Sequence, residues 1–301
     1  MILDKMTHAT ALAATLALAG CASAGSGGST AQAPERVSVA CTISTLCSLV
    51  AGVGGADVSI IDIVPVGVSP ETYEPTPSDV VAISKAEVLV ENGSGLELWM
   101  QKLLADADDK GLVTVVLSDG IPASDRATGN PHLWLDPAYA SIYVDEIDAA
   151  LSHADPPHAA SYRSRAAAEK LKIVALDRWI RNEIATIPRE RRAMICFHDA
   201  WYYFDRRYGI RDVGAIEQSP GQEPSPGYFA RLSSQARLYH VNAVFGEPQF
   251  SPKLADALAS NAGLAIVSQL YDDTLGSTPA LSTYDGMMRY DVRTIAEALS
   301  R

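Results

Sequence analysis

The chain has 301 residues, 48% of them hydrophobic, with 36 acidic side chains against 24 basic ones. The hydrophobic fraction excludes a disordered chain, and the net charge of −12 argues against a nucleic-acid partner. Four cysteines are too few for a fold held together by disulfides. The length is sufficient for one large domain or for two domains of about 120–150 residues.

The N-terminus has the pattern of an export signal. A short polar start with Lys5 precedes an apolar run over residues 9–20, which is too short to cross a membrane as a helix. The tetrapeptide Leu-Ala-Gly-Cys matches a lipobox, which predicts that Cys21 is acylated; the alternative is an ordinary signal peptide with an incidental cysteine. We assign residues 1–20 to a signal peptide and residues 21–35 to the lipidated cysteine and a flexible, Gly/Ser-rich tether. The folded part is therefore expected on the extracytoplasmic face of the cell membrane.

After the tether, short apolar runs alternate with helical patterns. Strands alternating with helices indicate a parallel α/β sheet. The predicted strands are 37–40, 58–64, 87–90 and 114–117, and the predicted helices are 44–53 and 78–84.

The same order of elements then recurs. The tetrapeptide Glu-Pro-Thr-Pro at 74–77 is echoed by Glu-Pro-Ser-Pro at 223–226, in the same place relative to the surrounding elements. A repeat this long indicates two related lobes rather than a solenoid. The predicted strands are 193–197, 213–216, 243–245 and 264–268, and the predicted helices are 199–207, 228–238 and 252–261.

Between the two halves, residues 157–187 contain no internal glycine or proline and are rich in Ala, Arg, Lys and Glu. They predict one long, rigid helix, and we count Leu171 and Val174 among the residues that give its apolar spacing. The expected fold class is α/β, with two similar lobes that each hold a four-stranded, mostly parallel sheet flanked by helices. The expected boundaries are 36–156 for the N-terminal lobe, 157–188 for the linking helix and 189–301 for the C-terminal lobe.

Several potential metal ligands follow predicted strands. Ligands of open parallel sheets bind beyond the carboxyl ends of the strands. Glu71 and His132 follow strands of the first half, whereas His198 and the pair Asp272-Asp273 follow strands of the second half. Two imidazoles and two carboxylates suit a divalent transition metal. Considered singly, a histidine at a strand end is more often structural, and an acidic pair is usually solvated.

Six motifs together are specific to one family. They are YEPTPSD at 73–79, PHLWLDP at 131–137, HDA at 198–200, EPSP at 223–226, EPQFS at 247–251 and the segment 270–276. On these motifs the chain resembles the metal-binding lipoproteins of ABC-type importers, the solute-binding proteins for zinc, manganese or iron. That resemblance implies two α/β lobes joined by a spanning helix, with one metal in the cleft between them. It also implies a membrane permease and its cytoplasmic ATPase as partners, and a monomeric binding protein rather than an enzyme.

The resemblance also assigns ligands residue by residue. It supports His132 and His198 as imidazole ligands and places the acidic ligand on Asp273, three residues before Gly276. Asp272 is then the less favoured neighbour. Glu247 lies in a matched motif but is not a usual ligand of the family. For this residue the resemblance favours a structural role, or a hydrogen bond to a ligand residue, over direct contact with the metal.

One position departs from the family. The family pattern G-x-D-P-H-x-Y-E-P is replaced here by Gly-Val-Ser-Pro-Glu-Thr-Tyr-Glu-Pro, so that Glu71 stands where the first histidine is expected. We favour direct coordination by Glu71. The alternatives are that water or Glu74 takes this place, or that the site is defunct, against which the three retained ligands argue.

A site of two histidines and two carboxylates is neutral with a divalent ion, and its oxygen donors favour Mn²⁺ or Fe²⁺ relative to a nitrogen-rich zinc site. The family's manganese-type members use two His, one Glu and one Asp, although with the Glu at another position. Residues 118–130 also lack the histidine-rich loop of many zinc-type members. The Irving–Williams order nevertheless predicts that Zn²⁺ binds at least as tightly in vitro. Zn²⁺ and Mn²⁺ therefore both stay candidates, with Fe²⁺ as a third.

The cysteines leave alternatives open. Cys41 and Cys47 either form a disulfide outside the cytoplasm or remain buried thiols. Cys196 lies two residues before His198, and a thiolate ligand there would strongly favour zinc, although the family offers no precedent.

Two classes of function follow. The first is an extracytoplasmic solute-binding lipoprotein that captures a divalent metal and delivers it to an ABC importer. The alternative is a metal-dependent extracytoplasmic enzyme or adhesin on the same scaffold. The chain has no G-x-S-x-G or H-E-x-x-H motif, which argues against hydrolase and metalloprotease chemistry. We expect transport, with closure limited by the stiff linking helix and with metal release by the transporter or by protonation of the histidines.

Overall fold

The computed structural model describes residues 36–101, 111–218, 221–267 and 269–301. These residues belong to one compact unit. The predicted signal peptide, the lipidation site Cys21 and the tether lie outside the described residues. None of the helices in the described ranges combines the length and apolar character that spanning a bilayer requires.

Two four-stranded sheets form the framework, and the strands of each are parallel to their neighbours. The first has the order β2-β1-β3-β4 and the second the order β6-β5-β7-β8, so the two halves repeat one topology, as the sequence predicts. The strands are β1 Val37–Cys41, β2 Val58–Asp62, β3 Val88–Glu91, β4 Val113–Val116, β5 Ala193–His198, β6 Arg211–Glu217, β7 Ala243–Phe245 and β8 Ala265–Val267.

The sheets are flanked by helices, two of which were not predicted from the sequence, namely α3 and α8. Both have clear helix-start signals, because the side chains of Asp136 and Thr283 cap their N-termini. The helices are α1 Ser44–Gly54, α2 Pro77–Ile83, α3 Pro137–Ala154, α4 Ala159–Ala185, α5 Tyr202–Tyr208, α6 Pro226–Leu238, α7 Lys253–Ala262 and α8 Tyr284–Ser300, besides the single turn Ala123–Arg126.

The linking helix α4 has 27 residues and is about 40 Å long. It packs against α1, α3 and α8, so helices of both halves cover its buried face. That face contains Tyr162, Ala166, Ile173, Leu176, Ile180 and Ile184. The assignment of Leu171 and Val174 to the apolar face was wrong, because these side chains are 72% and 52% exposed.

Each sheet has a switch point, where the chain connections leave in opposite directions: between β1 and β3 in the first sheet and between β5 and β7 in the second. The carboxyl ends of the strands at such a point form a crevice, where ligands of α/β proteins usually bind. In this chain, His198 is the last residue of β5 itself rather than the first residue after it. Helix α5 begins at Tyr202 and not at Asp199, so a turn separates His198 from the helix.

Cys41, Cys47 and Cys196 are free, buried thiols in the structure, and no disulfide joins Cys41 to Cys47. Cys41 ends β1 on the face covered by α1, where Cys47 lies. Burial raises the pKa of the Cys47 thiol well above its ordinary value, and contacts with Cys41 and Asp62 add to this effect. Cys41 and Cys47 thus contribute to the apolar layer between β1 and α1.

Candidate metal centre

Four of the residues singled out from the sequence converge in the structure. Glu71, His132, His198 and Asp273 each offer a ligand atom, and these atoms all lie within 4.8 Å of one another. The Nε2 atoms of the two histidines are 3.1 Å apart, and Nε2 of His132 is 3.1 Å from Oδ1 of Asp273. From Nε2 of His198, Oδ2 of Asp273 lies at 3.6 Å and Oε2 of Glu71 at 3.9 Å.

These spacings match the size of a metal ion. Ligand atoms bound at about 2.0–2.1 Å to a tetrahedral metal are about 3.3 Å from one another. The four separations given above, 3.1–3.9 Å, scatter around that value, and all the ligand atoms lie within 4.8 Å of one another. Small shifts of the side chains are therefore sufficient to place one ion between the four residues.

The four residues come from both halves of the chain. Glu71 lies in the loop between β2 and α2, and His132 precedes a short 3₁₀ turn that leads into α3. His198 ends β5, and Asp273 lies in the segment between β8 and α8. Both histidines and Asp273 are at most 2% exposed, and the Glu71 side chain is 12% exposed. Glu71 is thus the candidate ligand nearest to solvent.

The Nε2 atoms are the ring nitrogens that remain for a metal, because hydrogen bonds occupy the Nδ1 atoms. Nδ1 of His132 is 3.0 Å from Oδ1 of Asn130. Nδ1 of His198 is 2.6 Å from Oε2 of Glu247, a buried carboxylate. Since both partners are acceptors, each Nδ1 carries the hydrogen and each Nε2 has a free lone pair in the neutral ring.

Asp272 is not one of the four converging residues, but its hydrogen bonds support them. Its Oδ1 accepts hydrogen bonds from the backbone N–H of Asp273 at 2.7 Å and from the Gln249 side chain at 3.1 Å. The same amide group of Gln249 donates to Glu247 at 3.1 Å. Asp272 and Gln249 therefore connect the segment of Asp273 to the carboxylate behind His198.

Burial and neighbouring charges together shift the pKa values of the ionisable groups at the site. Burial raises the pKa of Glu71, although the nearby His132 and His198 counteract it. Burial alone would raise the pKa of Asp273, but His198 and His132 outweigh it and keep that pKa below its usual value. Burial alone would lower the pKa of His198, yet Glu247, Asp272 and Asp273 raise it well above its ordinary value. In the absence of a cation, a proton balances part of this negative charge.

Several oxygen atoms at the centre are buried without a hydrogen-bond partner. Among the four converging residues they are Oε2 of Glu71 and both carboxylate oxygens of Asp273, and Oδ2 of the neighbouring Asp272 is unpartnered as well. Buried carboxylate oxygens without partners are costly unless a cation compensates them. Two lone-pair nitrogens and three such oxygens facing one space are the donor set of a divalent transition metal.

A cleft of about 250 Å³ leads from solvent to this centre. It is lined by the candidate ligands Glu71, His132 and His198 and by two further acidic residues, Asp199 and Glu217. An acidic approach attracts cations and repels anions. The cleft therefore provides a path by which a hydrated cation reaches the imidazoles.

The remaining expectations about the site have mixed outcomes. Glu74 and Cys196 do not belong to the converging group, so among the described residues the alternative ligands have no support from the geometry. Asn130 and Gln249 were not predicted from the sequence, although both lie in or next to the motifs singled out there. Their amides stand close to a candidate ligand or its partner, two residues before His132 and two residues after Glu247. This short distance in sequence was the signal from which the two amides could have been identified.

The comparisons with known proteins point to one family. The family model described as the zinc-uptake complex component A, periplasmic, matches residues 39–298. The chain belongs to this family. Among curated members, the manganese-binding lipoprotein MntA of Halalkalibacterium halodurans is 32% identical over 288 residues, which cover 95% of each chain. The metal ABC transporter substrate-binding lipoprotein SloC of Streptococcus mutans is 27% identical, over 89% of this chain and 92% of the relative.

The solved structures agree with that membership. The periplasmic zinc-binding protein TroA of Treponema pallidum superposes with a TM-score of 0.82 and 26% identity, covering 88% of this chain and all of that one. The family fold is thus established for nearly all of the described chain. The names of these relatives include both manganese and zinc, so membership alone does not select the metal.

Proposed function

We propose that this protein is a solute-binding lipoprotein that captures one divalent transition metal ion, Zn²⁺ or Mn²⁺, and delivers it to an ABC importer. The metal is the transported substrate. The observation that carries the proposal is the buried convergence of two Nε2 lone pairs with the unpartnered oxygens of Glu71 and Asp273. The names of MntA, SloC and TroA support the same class of substrate.

In this proposal the four ligands are Glu71, His132, His198 and Asp273. A hydrated ion enters the acidic cleft and exchanges its water for the imidazoles and the carboxylates. Displacement of the proton held by His198 accompanies binding, because a metal ligand must be unprotonated. With both rings neutral, the four side chains balance the charge of a divalent ion.

The partners and the location are part of the proposal. A permease in the membrane and its cytoplasmic ATPase receive the metal, as the name of SloC suggests for that relative. Acylation of Cys21 anchors a monomeric protein to the extracytoplasmic face of the membrane. The two lobes span residues 36–156 and 189–301, with the linking helix over 157–188. Because α4 packs against helices of both halves, we expect loop shifts and small tilts on release rather than a wide hinge motion.

The alternative function, a metal-dependent enzyme or adhesin, receives no support from the relatives described above. An enzyme needs an open coordination position for its substrate. Four converging side chains favour a complete coordination shell, which suits capture and transport.

The test is a competition titration with Mn²⁺ and Zn²⁺ against a fluorescent chelator, combined with the metal content of protein purified from its native host. Wild type should bind one ion per chain, and His132→Ala and His198→Ala should each lose binding by at least 100-fold. His240→Ala, in an exposed residue outside the cluster, serves as the control. Undiminished binding after both replacements would refute the site, and unchanged affinities in Glu71→Ala would exclude Glu71 as a ligand.

A further inference from the structure

The loop that carries His132 is attached to the opposite half of the protein. Asn130, two residues before His132, has hydrogen bonds from both ends of its side-chain amide. Its Oδ1 accepts from the backbone N–H of His132 at 3.0 Å and faces Nδ1 of the same residue at 3.0 Å. Its Nδ2 donates to the backbone carbonyl of Asp199 at 2.5 Å. Asp199 directly follows His198, so one amide group connects the neighbourhoods of both imidazoles.

Two backbone groups fix the orientation of this amide. A backbone N–H can only donate and a carbonyl oxygen can only accept. Oδ1 of Asn130 must therefore face the His132 backbone, and Nδ2 must face Asp199. Since Oδ1 is an acceptor, the ring of His132 must present Nδ1–H to it. Asn130 thus leaves Nε2 of His132 as the lone-pair nitrogen, 3.1 Å from Nε2 of His198.

Tyr203 of α5 holds the same loop from the C-terminal half. Its hydroxyl donates to the backbone carbonyl of Asn130 at 3.0 Å, and it also lies 2.9 Å from Oγ1 of Thr128 and 3.3 Å from the carbonyl of Asp125. The Tyr203 side chain is buried, being only 1% exposed. Hydrogen bonds shielded from water are electrostatically stronger than fully exposed ones, so these partly buried contacts restrain the loop.

The N-terminal half holds the loop at fewer points close to His132. Nδ2 of Asn92 donates to the carbonyl of Pro131 at 2.9 Å, and the hydroxyl of Tyr139 donates to Asp125 at 3.0 Å. Asn92 is itself held by the hydroxyl of Tyr143. The loop is therefore bound on both sides. The side chains of Thr128 and Asn130 both reach across to the C-terminal half, and Asn130 is the one that also contacts a candidate ligand, His132.

We propose that Asn130 is a positioning residue for metal binding. It selects the Nδ1–H tautomer of His132 and ties that ring to the backbone beside His198, so that the two imidazoles keep their spacing across the two halves. Tyr203 supports this role by holding the backbone of Asn130. The proposal rests on the proposed function, since the spacing of the imidazoles is useful only if both bind the metal.

The two functions of the amide can be separated by substitution. Asn130→Ala removes both the acceptor for His132 and the donor to Asp199. Asn130→Asp keeps an acceptor for His132 but has no donor for the Asp199 carbonyl. Loss of a group that orients a metal-bound histidine typically costs about 10- to 100-fold in metal affinity. We expect Asn130→Ala to lose affinity in that range, and Asn130→Asp to lose less while keeping the tautomer.

The experiment measures Zn²⁺ affinity by chelator competition and the Nδ1–H proton of His132 by NMR of zinc-loaded protein labelled with ¹⁵N-histidine. Wild type should show one slowly exchanging Nδ1–H signal for His132. Asn130→Ala should lose it, whereas Asn130→Asp should retain it. Asn182→Ala, in an exposed residue of α4, is the matched control and should behave as wild type.

The outcomes separate the two proposals. If wild type binds no Zn²⁺ in this titration, the proposed function fails. If wild type binds Zn²⁺ and Asn130→Ala binds equally well with its Nδ1–H signal intact, the positioning role is refuted. That role is refuted as well if Asn130→Asp loses the signal although its thermal unfolding matches wild type. Tyr203→Phe should accelerate exchange of the same proton without abolishing binding, and an unaltered exchange rate would remove Tyr203 from the proposal.

Discussion

Oε2 of Glu247 lies 2.6 Å from Nδ1 of His198, and both side chains are at most 4% exposed. Glu247 also accepts from the backbone N–H of His198 at 3.3 Å, so it holds both the ring and the main chain of this residue. The pair connects the ends of β5 and β7, the two strands at the switch point of the second sheet. A carboxylate in this position makes the opposite ring nitrogen a stronger donor to a metal.

Glu247→Gln should therefore weaken metal binding without abolishing it. Glutamine has nearly the same shape, but it lacks the negative charge that polarises the imidazole. We expect a loss of about 10- to 100-fold in Mn²⁺ and Zn²⁺ affinity, measured by chelator competition. Glu223→Gln, in an exposed residue of the repeated Glu-Pro-Ser-Pro motif, is the control. An unchanged affinity in Glu247→Gln would show that this hydrogen bond does not tune the site.

Metal affinity should increase as pH increases. The pKa of His198 lies well above its ordinary value because of Glu247, Asp272 and Asp273, and burial raises the pKa of Glu71. Both shifts stabilise the protonated, metal-free site, so protons compete with the metal at a higher pH than they would at a free imidazole.

For each proton that the metal displaces, the metal affinity increases about tenfold per pH unit, as long as the pH is below the pKa of the group that loses the proton. Isothermal titration between pH 5.5 and 8 in buffers of different ionisation enthalpy measures both the affinity and the protons released. Binding without proton release at pH 6 would contradict the account.

Glu71→His should shift selectivity toward zinc. The replacement gives the cluster three histidines and one aspartate and exchanges a hard oxygen donor for a nitrogen. We expect the ratio of Zn²⁺ to Mn²⁺ affinity to increase by at least 10-fold relative to wild type. Competition titrations of both ions on both proteins give this ratio. A constant ratio would mean that Glu71 does not determine metal preference.

Thr274 joins the loops of two candidate ligands. Thr274 directly follows Asp273 in the sequence. Its Oγ1 accepts a hydrogen bond at 2.9 Å from the backbone N–H of Gly67, which lies four residues before Glu71. The next backbone N–H, of Leu275, donates to Ser44 at 2.9 Å. Thr274→Val keeps the shape but removes this acceptor.

Stopped-flow release of metal into excess chelator should therefore be several-fold faster in Thr274→Val than in wild type. Thr186→Val, in an exposed residue after α4, should release metal at the wild-type rate. Equal rates in all three proteins would show that the contact between the two loops does not retain the metal.

Much of the fold was predictable because its strands are short apolar runs and its helices are bounded by Gly and Pro. All eight strands lie where periodicity predicts them. Helices α3 and α8 were not predicted, although the Asp136 and Thr283 side chains cap their N-termini. Leu171 and Val174 show a different difficulty, because helical spacing identifies a face but not which face is buried.

The convergence of the candidate ligands was predictable from the sequence, whereas the hydrogen bonds that hold them were not. Strand ends and motifs select His132, His198 and Asp273, because parallel strands deliver their carboxyl ends to one edge. The pairings of Asn130 with Asp199 and of Glu247 with His198 join residues far apart in sequence. The first contact depends on the packing of the two halves and the second on the pairing of β5 with β7, and local patterns encode neither.

A crystal structure of the metal-loaded protein, with anomalous scattering at the edges of manganese and zinc, tests the central claim most directly. The account predicts one ion bound by a carboxylate oxygen of Glu71, Nε2 of His132, Nε2 of His198 and a carboxylate oxygen of Asp273, at about 2.0–2.2 Å from each. An ion bound through Nδ1 of either histidine, or without Glu71 and Asp273, would contradict it.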